Sequence, residues 1–307
     1  MSGHAGRTRR PRPWALGAAL VGTLFGGLVA SVVFAPAAWL AAALQSASGE
    51  RLLLADARGS VWRGSAVLVL TGGPGSRDVS ALPGRLHWTL GVAPGAAGLE
   101  LRARQACCLN GQALLRLQPG WGRLRVHLLS GEADAGATAA GPAAPALIGQ
   151  WPAAWLVGLG TPWNTLQPSG QLRLRSPGLG FELVQGSLRI SGRAELDLDD
   201  IASRISTLEV LGSYRLNLQG GRLPATEAAE ASEAAEASAQ AVDTPGATLS
   251  LSTRSGALQL SGNGQWAAGR LRFRGEARAA PGAEAVLSNL LNIIGRRQGA
   301  AAVISIG

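Results

Sequence analysis

The chain has 307 residues, 28 Lys+Arg against 19 Asp+Glu, a net charge of +9, 15% charged residues and 43 glycines. That length permits one large domain or two small ones. Every basic residue is an arginine, and most stand singly at alternating positions rather than in clusters, which argues against a nucleic-acid partner.

Arg7, Arg9, Arg10 and Arg12 precede a stretch from Trp14 to Leu44 with no charged residue. About 20 apolar residues cross a bilayer core as a helix. Trp14 and Trp39 would stand about 37 Å apart on one helix at 1.5 Å per residue, near the two interfaces where tryptophan is enriched. The arginines predict a cytoplasmic amino end, which places the remainder in the periplasm of a bacterium. Ala35-Pro36-Ala37 has the pattern of a signal-peptide cleavage site, but the apolar stretch is longer than a signal peptide needs. Ala18, Gly22, Gly26 and Ala30 recur every four residues, a face on which two such helices could self-associate.

Beyond Gln45 the signal is alternation with period two. It begins in "ADARGSVWRGSAVLVL" at 55–70, where Trp62 and Arg63 sit between Gly59 and Gly64, and Trp88 follows in "LPGRLHWTL" at 82–90. It returns at 98–104, 122–129, 170–176, 186–191, 212–220, 247–254 and 269–278, usually after a glycine. Apolar residues on one face and Arg, Ser, Asn or Gln on the other are the mark of antiparallel strands. The pattern has no fixed period, so it predicts one long sheet that meanders or curls, half-barrel or groove-like, and not a solenoid.

Residues 145–159 are expected to hold one or two short turns broken at Pro152. Residues 283–297 read as an amphipathic helix with Val286, Leu287, Leu290, Leu291, Ile293 and Ile294 as its stripe and Arg296 and Arg297 in its last turn. "AAVISI" would return as a strand. Residues 131–146 and the acidic stretch 224–246 read as linkers with little to bury. The expected layout is thus a cytoplasmic stub (1–13), a transmembrane helix with an interfacial extension (14–44), a β-rich lobe (48–130), a linker (131–146) and a second β-rich lobe (147–307) carrying the insert 224–246.

Chemistry-bearing groups are sparse. His4, His87 and His127 have no acids or cysteines clustered around them, and no motif for a nucleophile, a metal or a nucleotide is present. No catalytic residue, cofactor or metal is expected. Cys107 and Cys108 are adjacent, and an ordinary disulfide between neighbours distorts the peptide. As a redox pair they could bond to each other or to another protein, and the favoured expectation is that they stay reduced and that one or both are buried. The paired arginines 102 and 104, 123 and 125, and 270, 272 and 274 are expected to form an ordinary solvated face.

The stretch Gly59, Ser60, Trp62, Gly64, Ala66, Leu82, Pro83, Leu86 and Trp88 resembles the start of the periplasmic region of type II secretion system protein N, the GspN family. Leu290, Leu291, Ile294, Gly295 and Gly299 are similar to that family's closing helix and strand, although Gln298 stands where the family usually has an acid. The resemblance implies a non-enzymatic inner-membrane component that supports export of folded proteins across the outer membrane. It implies as partners the C, L and M subunits and the outer-membrane secretin. Trp62, Arg63, Gly64 and Trp88 are then the residues of interest. Trp62 is expected to cap the open end of the sheet, with a docking role as the alternative. A different reading is a periplasmic β-groove carrier of lipid or lipopolysaccharide, of LptC-like or AsmA-like type.

Overall fold

The computed structural model describes residues 13–93, 98–130, 145–184, 187–221, 246–267 and 270–307, with the backbone alone for 13–20, 130 and 267. The linker 131–146 and the insert 224–246 therefore lie almost wholly outside the described residues, as does His4. Two helices open the chain: α1 (Pro13–Val33) and α2 (Ala37–Ala47). The uncharged stretch is thus two helices rather than one, and Trp39 does not share a helix with Trp14. Pro36 is the reason. It has no N–H to continue α1, and it sits extended at φ −70°, ψ 150° as the residue that starts α2. Among the described residues no helix is long and apolar enough to cross a membrane.

The strands that follow are β1 (Leu52–Gly59), β2 (Arg63–Thr71), β3 (Val79–Ala81), β4 (Leu86–Val92), β5 (Leu99–Arg104), β6 (Ala113–Gly120), β7 (Arg123–Ser130) and β8 (Ala146–Pro152). A 3-10 turn (Ala153–Leu159) and the short helix α3 (Trp163–Leu166) lead to β9 (Pro168–Val184), β10 (Ser187–Ser203), β11 (Gly212–Gln219), β12 (Ala247–Gly256), β13 (Leu258–Ala267) and β14 (Arg270–Ala279). Helix α4 (Glu284–Ile294), β15 (Arg296–Gln298) and β16 (Ala301–Ile306) close the chain.

All sixteen strands belong to one open antiparallel sheet, ordered β1-β2-β4-β5-β6-β7-β9-β10-β11-β12-β13-β14-β16-β15, with β3 beside β2 and β8 beside β9. Pairing of β7 with β9 carries the hydrogen bonding unbroken across the 131–146 linker. Between β2 and β9 the sheet curls back on itself. The Trp155 indole donates to the Ser80 carbonyl at 3.2 Å, and the Asn164 amide donates to Asp78 at 3.1 Å. These bonds join β3 and its approach to the segment after β8, although β4 to β7 stand between β2 and β9 in the sheet.

Cross-strand partners share a face, so the register assigns the leucines. Leu90, Leu101, Leu115, Leu128 and Leu179 form one row, and Leu174, Leu196, Leu216 and Leu251 another. Helices cover this apolar face only at its flanks. Helix α2 closes a core of Ala37, Leu54, Ala66 and Trp88, and α4 closes one of Leu211, Leu258, Ala277, Leu287, Leu290, Leu291 and Ala302.

Two local expectations change. Residues 146–152 are strand β8, and only the part after Pro152 is a turn. Arg296 and Arg297 are not in the last turn of α4, because Gly295 is extended at φ −163° and ends the helix, leaving both arginines in β15. The α4 stripe is also narrower than expected, since Val286 and Ile293 are exposed.

Candidate functional site

Four of the residues singled out by sequence meet where the helices join the sheet. The turn from β1 to β2 is closed by Ser60 N–H donating to the Arg63 carbonyl at 2.9 Å and by Arg63 N–H donating to the Ser60 hydroxyl at 3.1 Å. Gly59 enters it at φ 88°, a conformation that glycine adopts without penalty. A Cβ on Gly64 would run into the Trp88 ring and the Arg58 carbonyl, so the glycine is what lets Trp88 lie flat across β2. Trp88 is 3% exposed, and its indole donates to the Val61 carbonyl at 3.1 Å.

Trp62 has a different place. It is half-buried, and its indole donates to the Val32 carbonyl at 2.8 Å, while Val61 N–H donates to the Ala35 carbonyl at 2.9 Å. The last carbonyls of a helix lack partners within it. Trp62 satisfies one of those at the end of α1 and so ties the helix to the sheet. Arg63 beside it is exposed. Sequence reasoning singled out Trp62 but could not find Val32, because nothing in an apolar run marks which carbonyl at the helix end will take a partner from the sheet.

A second support lies on the β1 edge. Arg85 donates to the Asp56 carboxylate at 2.7 Å, to the Asp56 carbonyl at 2.6 Å and to the Ser65 hydroxyl at 3.1 Å. Asp56 has φ 49° and sits where the β1–β2 register shifts. Hydrogen bonds from Arg85 and Arg58 hold its carboxyl below the usual carboxylate value.

The arginine-bearing face is not simply solvated. Asp197 is 1% exposed and accepts from Arg175 at 2.7 Å and from Arg215 at 2.7 Å. Asp199 accepts from Arg173 at 2.6 Å and from Arg254 at 3.1 Å. Burial pushes the Asp197 carboxyl up, but the Arg215 hydrogen bond and the charges of Arg215, Arg254 and Arg175 outweigh it, and the net shift is downward. This ladder crosses β9, β10, β11 and β12. Its signal was in the sequence, as alternate aspartates at 197 and 199 and alternate arginines at 173 and 175, but the register that pairs them was not. Of the arginine pairs, Arg102 bonds Glu100 and Arg125 bonds Glu182, while Arg123, Arg270, Arg272 and Arg274 have no carboxylate partner among the described residues.

The other candidates lie apart from the junction. Cys107 and Cys108 are joined in a disulfide, which corrects the expectation that they stay reduced. The bond closes the tight turn after β5, whose backbone is held by Gln150 N–H donating to the Cys108 carbonyl at 2.8 Å and Asn110 N–H donating to the Ile148 carbonyl at 3.0 Å. Gly22, Gly26 and Ala30 are exposed on α1, and a Cβ on either glycine would meet nothing within 4 Å; the Ala18 side chain is outside the described residues. Among the described residues no group of three or more His, Cys, Asp or Glu could hold a metal ion. The arrangement at the junction can bind and position.

A family model for type II secretion system (T2SS), protein N, matches residues 50–242 and 231–304. No curated protein and no solved structure matches the chain.

Proposed function

Because the chain belongs to the type II secretion system protein N family and so takes part in type II secretion, we propose that it is a non-enzymatic scaffold of the inner membrane. In this reading α1 is a single-pass anchor with a cytoplasmic amino end, and the sheet stands in the periplasm. Its partners are the C, L and M subunits and the outer-membrane secretin. Membership of the family implies contact with other components of the secretion system; which ones is part of the proposal.

The observation that carries this reading is the Trp62–Val32 bond with the packing of α2 on β1 and β2. An uncharged helix bonded at its end to a large sheet suits a part that transmits position. A freely hinged anchor would suit a tethered enzyme or carrier better. Open sheet edges also offer backbone groups to a partner strand.

A tag at the carboxyl end and crosslinking in intact membranes test it. Recovery of secretion subunits, at a yield that falls when Trp62 is replaced by alanine, supports the scaffold. Recovery of no secretion subunit, or measurable turnover by the purified chain, overturns it. A second reading, carriage of lipid acyl chains, is favoured by the leucine rows between α2 and α4, most of whose side chains are only partly buried. Lipid co-purifying in stoichiometric amount would select that reading.

A further inference from the structure

We propose that the strand ends around Trp121 rest on the headgroup layer of an anionic bilayer. The proposal rests on the anchor reading above and extends it from one helix to a face of the sheet.

Strands β1, β4, β6 and β9 all run toward one end of the sheet, and α1 meets the sheet at that end through Trp62. The same end carries Trp121, in the turn between β6 and β7, which is 102% exposed. Val92 at the end of β4 is 81% exposed, and Leu183 at the end of β9 is 43% exposed. Most other large apolar side chains of the sheet are at least partly buried. The register makes these strand ends neighbours, since Val92 pairs with Leu99, Leu99 with Leu117, and Leu183 with Leu124. A fully exposed tryptophan at a turn has no packing role, and it is the residue most at home where lipid headgroups meet acyl chains.

Charge at the same place matches. Trp121, Arg123, Arg125, Glu182 and Arg189 line a shallow pocket of 320 Å³. Arg125 is committed to Glu182 at 2.7 Å, but Arg123 and Arg189 have no carboxylate partner among the described residues. Two free guanidinium groups beside an exposed indole suit the phosphates of anionic lipids, with the ring at headgroup depth. A protein partner would want an apolar centre with a polar rim. Here Trp121 stands outermost in the β6–β7 turn, with Arg123 just behind it, level with Gly120 and Val184, and Arg189 level with Glu182, so the indole and the guanidinium groups can meet the headgroup layer together.

The test uses the full chain in vesicles of phosphatidylcholine, with and without phosphatidylglycerol. A benzophenone amino acid replaces Trp121, or replaces Val79, exposed at the opposite end of the sheet, as the comparison. Irradiation should crosslink lipid at position 121 several-fold more than at 79. That excess should grow with phosphatidylglycerol and fall in the Arg123→Ser/Arg189→Ser variant and at high salt. Equal lipid labelling at the two positions overturns the proposal, and so does crosslinking of position 121 to a protein in native membranes. Alkaline carbonate extraction of the same samples reads the anchor separately. Release of the chain by carbonate defeats the anchor, whereas retention without label at 121 defeats only the surface contact.

Discussion

The flank built from β1, β2 and β4 and the centre built from β9 to β12 belong to one sheet but are held by opposite chemistry. At the flank helix α2 lies on the apolar face, and its Ala37 seals Leu54, Ala66 and Trp88 beneath it. At the centre no described α-helix covers the leucines, and a carboxylate, Asp197, is among the most deeply buried side chains, under arginines from three strands. Where a second layer exists, burial orders the strands. Where none exists, cross-strand pairs on the polar face fix neighbours and register instead. A sheet open along most of one face would otherwise have little to stop one strand sliding past the next.

The comparison predicts the larger loss at the flank. Trp88→Ala should cost about 3–5 kcal/mol, as truncation of a sealed aromatic does. Denaturant unfolding of the detergent-solubilised chain measures it. Asp197→Ala should cost less, about 1–3 kcal/mol, because its arginines are partly exposed and can return to water. If the aspartate variant proves the less stable of the two, the centre is held more by ions than by apolar area, and the contrast reverses.

Acid should separate the regions further. The folded-state pKa of Asp197 is depressed, so its contribution is fully present above the unfolded carboxylate pKa and is lost as pH falls through the lower, folded one. Melting temperature measured down through pH 4 to 2 should therefore drop in the native chain, and drop less in Asp197→Asn. Amide exchange should rise first in β10 and β11, while β2 and β4, held by Trp88, keep their protection.

At the junction, Trp62→Phe keeps an aromatic ring, though a smaller one, and removes one hydrogen bond from a half-buried side chain, so it should cost about 1 kcal/mol. The same exchange at Trp88 also removes a bond but leaves a void beside Gly64, and should cost more. A larger loss at Trp62 than at Trp88 would make the helix end, and not the sealed ring, the main fastening of the flank.

Much of the sheet was legible, because period-two alternation survives wherever one face differs from the other. The limits are instructive. Strands β9 and β10 are 17 residues each, yet only short pieces at 170–176 and 186–191 read as strand. Pro177, Gly178 and Gly192 interrupt the alternation without ending the pairing, which continues through register shifts. The candidate site was half legible. A tryptophan between glycines announced a special turn, but the glycine beside Trp62 serves Trp88, a residue 24 positions on, and no local pattern contains that contact. The break at Pro36 was marked by its residue type and masked by the unbroken apolar run around it.

The smallest effect should come from the covalent bond. A disulfide stabilises chiefly by shortening the loops of the unfolded chain, and a bond between neighbours closes almost no loop. Cys107→Ser/Cys108→Ser should change global stability by less than about 1 kcal/mol. Its consequence is local. The turn it closes presents the Cys108 carbonyl and the Asn110 amide to β8, whose other side is already paired with β9. Without the bond, amide exchange at Asn110 and Gln150 should speed while β5 and β6 stay protected, a pattern read by mass spectrometry on oxidised and reduced chain. Loss of protection throughout β5 and β6 would mean that this turn organises the strands it joins. The flank and the centre would then share a third support, set at the end of the sheet opposite α1.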